Sequence, residues 1–232
     1  MMIINKFDFN IYKLFIILAF LIPLIISTIY LINKKVNKID LIYSIFIITI
    51  SSLTFGKLFT IVTFGFSVSF RDASLSSYGG FLGVLIVAFF YSSFIKNKEM
   101  RNIYIIIIPL MYSISKLGCF FSGCCYGIPY NGIGKIKYPH FFDEYLFPIQ
   151  LLEVITFLIL FLFLFIWYKK KSSKYIIEIT MIMGALLKGL LDYLRYSHLN
   201  QIISINQIVS LFIIIISLIS IFIRYKTYSK YK

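Results

Sequence analysis

Long apolar runs return along the whole chain, and that recurrence limits the folds open to it. They fall at residues 11–32, 40–62, 79–94, 103–121, 148–168, 175–194 and 202–223. A run of about 20 residues suffices to cross a hydrocarbon core of about 30 Å. Inside lipid a segment must satisfy its own backbone hydrogen bonds, so such runs specify helices. Charged residues make up 14% of the chain, against about 25% in soluble domains, which excludes a soluble globular protein. The first run is too long, and too rich in Ile and Tyr at its end, for a cleaved signal peptide. The expectation is an all-α, polytopic membrane protein with seven transmembrane helices, forming one domain over residues 1–232.

A net charge of +14 could suggest nucleic acid, but its placement does not. Lys34, Lys35 and Lys38 lie between the first two runs, Lys96, Lys98 and Arg101 between the third and fourth. Lys169, Lys170, Lys171 and Lys174 separate the fifth and sixth, and Arg224, Lys226, Lys230 and Lys232 form the tail. The alternate connections hold only Lys6, Lys13, Arg71, Lys135, Lys137 and Arg195. Basic loops stay in the cytoplasm, so the N-terminus is expected outside and the C-terminus inside. The excess charge is a topology signal.

That orientation sends the fourth run outward and ends it on Lys116-Leu117-Gly118-Cys119-Phe120-Phe121-Ser122-Gly123-Cys124-Cys125-Tyr126-Gly127, which holds every cysteine in the chain. A long connection, 123–147, follows; long loops in compact proteins are usually functional or disordered. Most polar residues within the runs gather in the outer half: Lys57, Lys116, Glu153, Lys188, Asp192 and, at the run's end, Arg195. Glu178 is the exception. Ionisable groups cost about 2.5–3.5 kcal/mol each at a helix centre, so such a set tends to serve function. Together they could line a solvated cationic cavity for an anionic head group, since phosphate wants several donors at once. The plainer alternative is that Lys57 and Lys188 snorkel and that Lys188 pairs with Asp192 one turn on.

These motifs resemble those of the prolipoprotein diacylglyceryl transferase family, seven-span enzymes of bacterial inner membranes. The family's signature, roughly G-R-x-G-N-F-x-N-G-E-x-x-G, is similar to Ser115, Lys116, Gly118, Cys119, Phe120, Ser122, Gly123, Cys124 and Gly127. Its H-G-G-L-x-G resembles Tyr78-Gly79-Gly80-Phe81-Leu82-Gly83, and its span-two G-R resembles Gly56-Lys57. Its P-S-Q-L-Y-E resembles Pro148, Gln150, Leu151 and Glu153, and its span-six motif resembles Lys188, Gly189, Asp192, Tyr193 and Arg195. The chain departs at Tyr78, where the family has histidine. It also departs at Lys116 and Lys188 for arginines, at Cys119 and Ser122 for asparagines, and at Cys124 for glutamate. It resembles a cysteine-bearing branch reading G-C-F-x-x-G-C-C-Y-G.

The resemblance implies transfer of a diacylglyceryl group from phosphatidylglycerol, or a related anionic lipid, to a cysteine near the N-terminus of an acceptor protein. The implied catalytic residues are Tyr78, Lys116, Cys119 and Cys124. Lys57, Gly79, Gly80, Ser122, Gly127, Gln150, Glu153, Lys188 and Arg195 are the implied substrate-binding residues. The implied setting is a multi-pass protein of the bacterial plasma membrane, a monomer by default, with no nucleic-acid partner. Lys116 can neutralise phosphate as a point charge but lacks the bidentate fork of arginine. Tyr78, with an ordinary pKa near 10, is a poor base at neutral pH. A thiolate beside Lys116 would be a competent nucleophile. Other readings of the thiols stand beside it: a Cys119–Cys124 or Cys119–Cys125 disulfide, or small packing residues at a helix end. A metal site is the least supported, because C-x4-C-C lacks a C-x2-C clip and no histidine is close; no cofactor or metal is expected. Two further functions remain open: a catalytically inactive lipid- or peptide-binding relative, and an extracytoplasmic thiol-redox protein.

Overall fold

The computed structural model describes residues 2–3, 9–138, 143–171 and 174–230. His140, in the long connection after the cysteine motif and the one histidine placed to reach it, lies outside the described residues. Eight α-helices follow one another: α1 Phe9–Asn33, α2 Lys38–Thr63, α3 Ser77–Phe94, α4 Lys98–Ile106, α5 Ile108–Ser122, α6 Ile149–Lys170, α7 Ile176–Asp192 and α8 Ile205–Lys230. α4 and α5 form one span, broken at Ile107 because Pro109 offers no N–H to the carbonyl of Ile105. Among the described residues six helical segments are long and apolar enough to cross a membrane: α1, α2, α3, α4 with α5, α6 and α8. The run expected at 175–194 forms α7, a 17-residue helix shorter than the usual span of about 20. The protein is thus a multi-pass helical membrane protein. Large apolar side chains face outward along the helices, among them Phe46, Phe90, Phe94 and Phe222.

Two compact units divide the described chain, Phe20–Ile108 and the remainder up to Ala19 and from Pro109 onward. In the first, Asn37 and Asn97 start α2 and α4 by accepting hydrogen bonds from Ile39 N–H and Met100 N–H. Ser44, Ile48, Ser52, Gly56 and Thr60 recur every fourth residue on the buried face of α2. Small residues there let α3 approach closely, the usual means of helix packing in lipid. A methyl group on Gly79 would stand 2.2 Å from the Phe55 carbonyl oxygen, and one on Gly83 2.6 Å from that of Ser51. Ser51 and Ser52 hydroxyls bind the carbonyls of Gly83 and Gly80 at 3.1 and 3.0 Å.

In the second unit, Gly118 of α5 meets Phe15 of α1, where a methyl would approach Phe15 Cβ to 2.7 Å. The connection after α5 is stitched down: β2 Ile136–Lys137 pairs antiparallel with β3 Tyr145–Leu146 and parallel with β1 Met2–Ile3. Phe120, Ile136, Tyr138 and Leu146 form the buried cluster beneath it. Elsewhere in this unit Glu178 of α7, buried, takes hydrogen bonds from Arg224 and Ser220 of α8 at 2.5 and 3.1 Å.

Candidate functional site

Five ionisable side chains and one tyrosine converge within the second unit. Lys116, in the second half of α5, lies 3.3 Å from Glu153 of α6, both with side chains about 5% exposed or less. Arg195, just past α7, reaches the other oxygen of that carboxylate at 2.5 Å. Tyr112, one turn before Lys116 on α5, donates to Glu153 at 2.6 Å and accepts from Lys188 at 3.0 Å and Arg195 at 3.2 Å. The ammonium groups of Lys188 and Lys116 also stand over the Tyr112 ring, at 4.5 and 5.2 Å from its centre. Asp192 faces Arg195 Nε at 3.7 Å and accepts hydrogen bonds from Ser204 and from Asn206, the latter at 2.8 Å.

The contacts are uneven. Among the described residues Glu153 Oε2 and Arg195 Nε, both buried, take part in no hydrogen bond. Lys116 therefore holds Glu153 as an ion pair without a formed hydrogen bond. Burial opposes the Arg195 charge, but Glu153 and Tyr112 beside it outweigh burial and hold its pKa above the ordinary guanidinium value. Three cations against two carboxylates leave the cluster a formal +1.

The thiols stand next to it. Cys119 is buried and Cys124 and Cys125 are half-buried, and all three are free. Hydrogen bonding from Cys119, then from Cys124, pulls the Cys125 pKa well below the ordinary thiol value, and Lys116 and Arg195 add to that. Contact with Cys119 first, and Cys125 second, pushes Cys124 up. Gln150, fully buried, donates from Nε2 to the Cys124 carbonyl at 2.7 Å and to Tyr138 OH at 3.3 Å. Gly127 pairs with Arg195 across an antiparallel bridge, and a methyl on it would stand 2.2 Å from the Phe147 carbonyl oxygen. Ser122 turns its hydroxyl to the Gly118 carbonyl at 2.6 Å, closing the helix end.

A family model for prolipoprotein diacylglyceryl transferase matches residues 1–223. The chain belongs to the prolipoprotein diacylglyceryl transferase family. Among curated proteins it is similar to the phosphatidylglycerol–prolipoprotein diacylglyceryl transferase of Clostridium tetani (strain Massachusetts / E88). The two are 28% identical over 152 residues, a match spanning 61% of this chain and 60% of that relative.

Of the residues picked out by their likeness to the family's motifs, Lys116, Glu153, Lys188 and Arg195 form one network, with Cys119, Cys124, Gln150, Ser122 and Gly127 around the adjoining turn. Lys57, Tyr78, Gly79 and Gly80 belong to the other unit. Lys57 braces its own loop there, donating to the Phe70 and Arg71 carbonyls at 2.8 and 3.2 Å. Tyr78 is buried, its ring 6.2 Å from that of Phe59. Gly79 serves the close approach of α3 to α2. Tyr112 is the residue the motifs missed, although it precedes Lys116 by four positions and so shares its face.

Proposed function

We propose that the protein is a phosphatidylglycerol-using diacylglyceryl transferase of the bacterial plasma membrane. It acts as a single-domain monomer with its N-terminus outside, α7 completing a set of seven spans, and the site at the outer leaflet. The reaction forms a bond between the acceptor's cysteine sulfur and a glyceryl carbon. It breaks the bond from that carbon to the phosphate oxygen, which leaves with the electron pair as glycerol phosphate, while the thiol's proton is released to water.

The observation that carries this reading is the Lys116–Lys188–Arg195 trio, its two lysines buried, held on Glu153 and Tyr112. With Asp192 counted, the cluster's formal +1 complements a phosphodiester of charge −1. Lys116 and Arg195 Nε, loosely engaged among the described residues, are the donors available to turn from Glu153 and Asp192 towards the departing phosphate. Water-excluded cations aimed at developing charge are where such catalysis draws most of its effect. In a second reading the protein is an inactive relative that holds anionic lipid. The same network favours it, because Glu153 already engages two of the cations.

The deciding experiment supplies this chain to a strain lacking its own transferase and follows a labelled lipid onto a peptide with an acceptor cysteine. Label on the peptide cysteine supports transfer. Retained lipid without transfer favours the second reading, and neither result would leave the family scaffold without either activity.

A further inference from the structure

The three thiols converge for a reason that lies in the backbone. Gly123 N–H bonds the Phe120 carbonyl at 3.3 Å and Cys124 N–H bonds the Cys119 carbonyl at 3.0 Å. With Gly123 left-handed at φ 70°, these are the two bonds of a Schellman cap. That cap brings the third residue from the helix end against the second residue beyond it. Here those positions are Cys119 and Cys124. Cys125 follows at φ 57°, a conformation that costs a non-glycine residue, and its sulfur comes to 3.7 Å from that of Cys119. All three Sγ atoms lie within 4.8 Å of one another.

A zinc–thiolate bond is about 2.3 Å, so sulfurs on one ion stand about 3.8 Å apart in a tetrahedral site and about 4.0 Å apart in a trigonal one. The cluster is already close to that spacing. We propose that Cys119, Cys124 and Cys125 form a three-thiolate site for a thiophilic d10 cation, Zn2+ or Cu+. The helix cap replaces the C-x2-C clip that the spacing lacks. Thiolate ligands select such ions over Mg2+, Ca2+ or Mn2+. Three thiolates leave the site at −1 with Zn2+ and −2 with Cu+, and the formal +1 of the neighbouring cluster, whose Lys116 and Arg195 both act electrostatically on Cys125, offsets one of those charges.

Among the described residues no His, Asp or Glu joins the three sulfurs, so a tetrahedral ion held by them alone would keep one position for an outside ligand. A recess of about 210 Å³ lies beside the thiols, lined by Cys125, Tyr126, Arg195, Tyr196 and Ser197. A metal deprotonates a coordinated thiol outright, so an acceptor cysteine entering there would arrive as thiolate. That use alone rests on the transferase reading; the binding of the ion does not.

The test uses the full chain in detergent, reduced and stripped with a chelator. Co2+ titration reads thiolate coordination as a charge-transfer band, Zn2+ competition displaces it, and Cu+ is offered in a separate arm against a chromogenic chelator. One ion per chain is expected, and the tighter arm names the ion. Cys119→Ser, Cys124→Ser and Cys125→Ser should each weaken binding beyond the roughly 10–100-fold typical of losing an outer-shell partner. No band and no retained ion in the unmodified protein would overturn the proposal, as would binding that survives replacement of all three cysteines. The unmodified protein decides the matter even if a variant misfolds. Ion binding without lipid transfer would sink the transferase reading alone, and transfer without ion binding would sink this one.

Discussion

Lys116 and Lys57 hold similar places in the sequence, each a lysine following a small residue near one end of an apolar run, each where the family has arginine. Their surroundings differ. Lys116 is buried against Glu153, whose other oxygen takes Arg195 and Tyr112. Lys57 is half-buried and spends its ammonium on the Phe70 and Arg71 carbonyls of the loop that follows its own helix, with the Phe70 ring 5.0 Å away. A lysine at a helix end can meet its needs locally by snorkelling to nearby carbonyls. It enters a multi-helix site only where another helix brings a carboxylate within reach. Glu153, contributed by α6, makes that difference.

The largest effect should follow from removing that carboxylate. Glu153→Gln leaves Lys116, Lys188 and Arg195 facing one another without their shared anion. Breaking a buried charge set in this way costs about 3–5 kcal/mol. Denaturation in detergent should show a loss of that order, and lipid transfer should vanish. A variant as stable as the parent would mean that the cations are already solvated, and the contrast with Lys57 would collapse.

Lys116→Ala comes next. It should abolish lipid-dependent transfer, or lipid binding if the chain only binds, because it deletes the cation least committed to its partner. Lys171→Ala, in the basic connection after α6, should change neither. Equal losses from the two would show that overall charge was being sensed and that no local phosphate site exists.

Much of this was legible in the chain before folding. Six of the apolar runs became helices able to span a membrane, since length and hydropathy alone decide that property. The 175–194 run fell short because α7 ends at Asp192 and hands Arg195 to the turn that bonds Tyr126 and Gly127. Lys116, Glu153, Lys188 and Arg195 were found as separate motifs, but their pairing was not, because it depends on which helices touch. Tyr112 was hidden among 18 tyrosines in a composition that favours them, so residue type carried little signal. The thiol cluster was readable in principle. Cys-x3-Gly-Cys at a helix end places both cysteines where a Schellman cap joins side chains.

A smaller effect sharpens the contrast from the side of the other unit. Gly79→Ala puts a methyl 2.2 Å from the Phe55 carbonyl oxygen and 2.8 Å from Gly56 Cα, both backbone atoms that cannot step aside. Overpacking of that kind costs about 1–3 kcal/mol. Gly80→Ala comes closest to the Ser52 hydroxyl at 3.1 Å, a side chain able to turn, with the Ser52 carbonyl oxygen at an ordinary 3.7 Å, and should cost less. Unfolding midpoints of the two variants should therefore separate in that order. The reverse order would mean that α3 is not seated on α2 through Gly79, and that the glycine pair serves something other than packing.

The smallest effect, and the most direct challenge to the comparison, belongs to Lys57→Met. The substitution keeps the apolar stem against Phe70 and removes only the ammonium. Two hydrogen bonds to loop carbonyls are lost, but the site is half-buried and water can replace the donor. The net cost should therefore stay near the value for a single hydrogen bond, about 0.5–1.5 kcal/mol. Hydrogen exchange should quicken in the loop at 64–73, which Lys57 ties to α2, and remain unchanged along α6. Lipid transfer should keep its rate, because a lysine occupied with its own loop has no donor to lend to phosphate. If transfer instead fails as completely as in Lys116→Ala, Lys57 leaves its loop during the reaction. The two lysines would then act on one lipid, and the difference in their resting partners would say nothing about their roles.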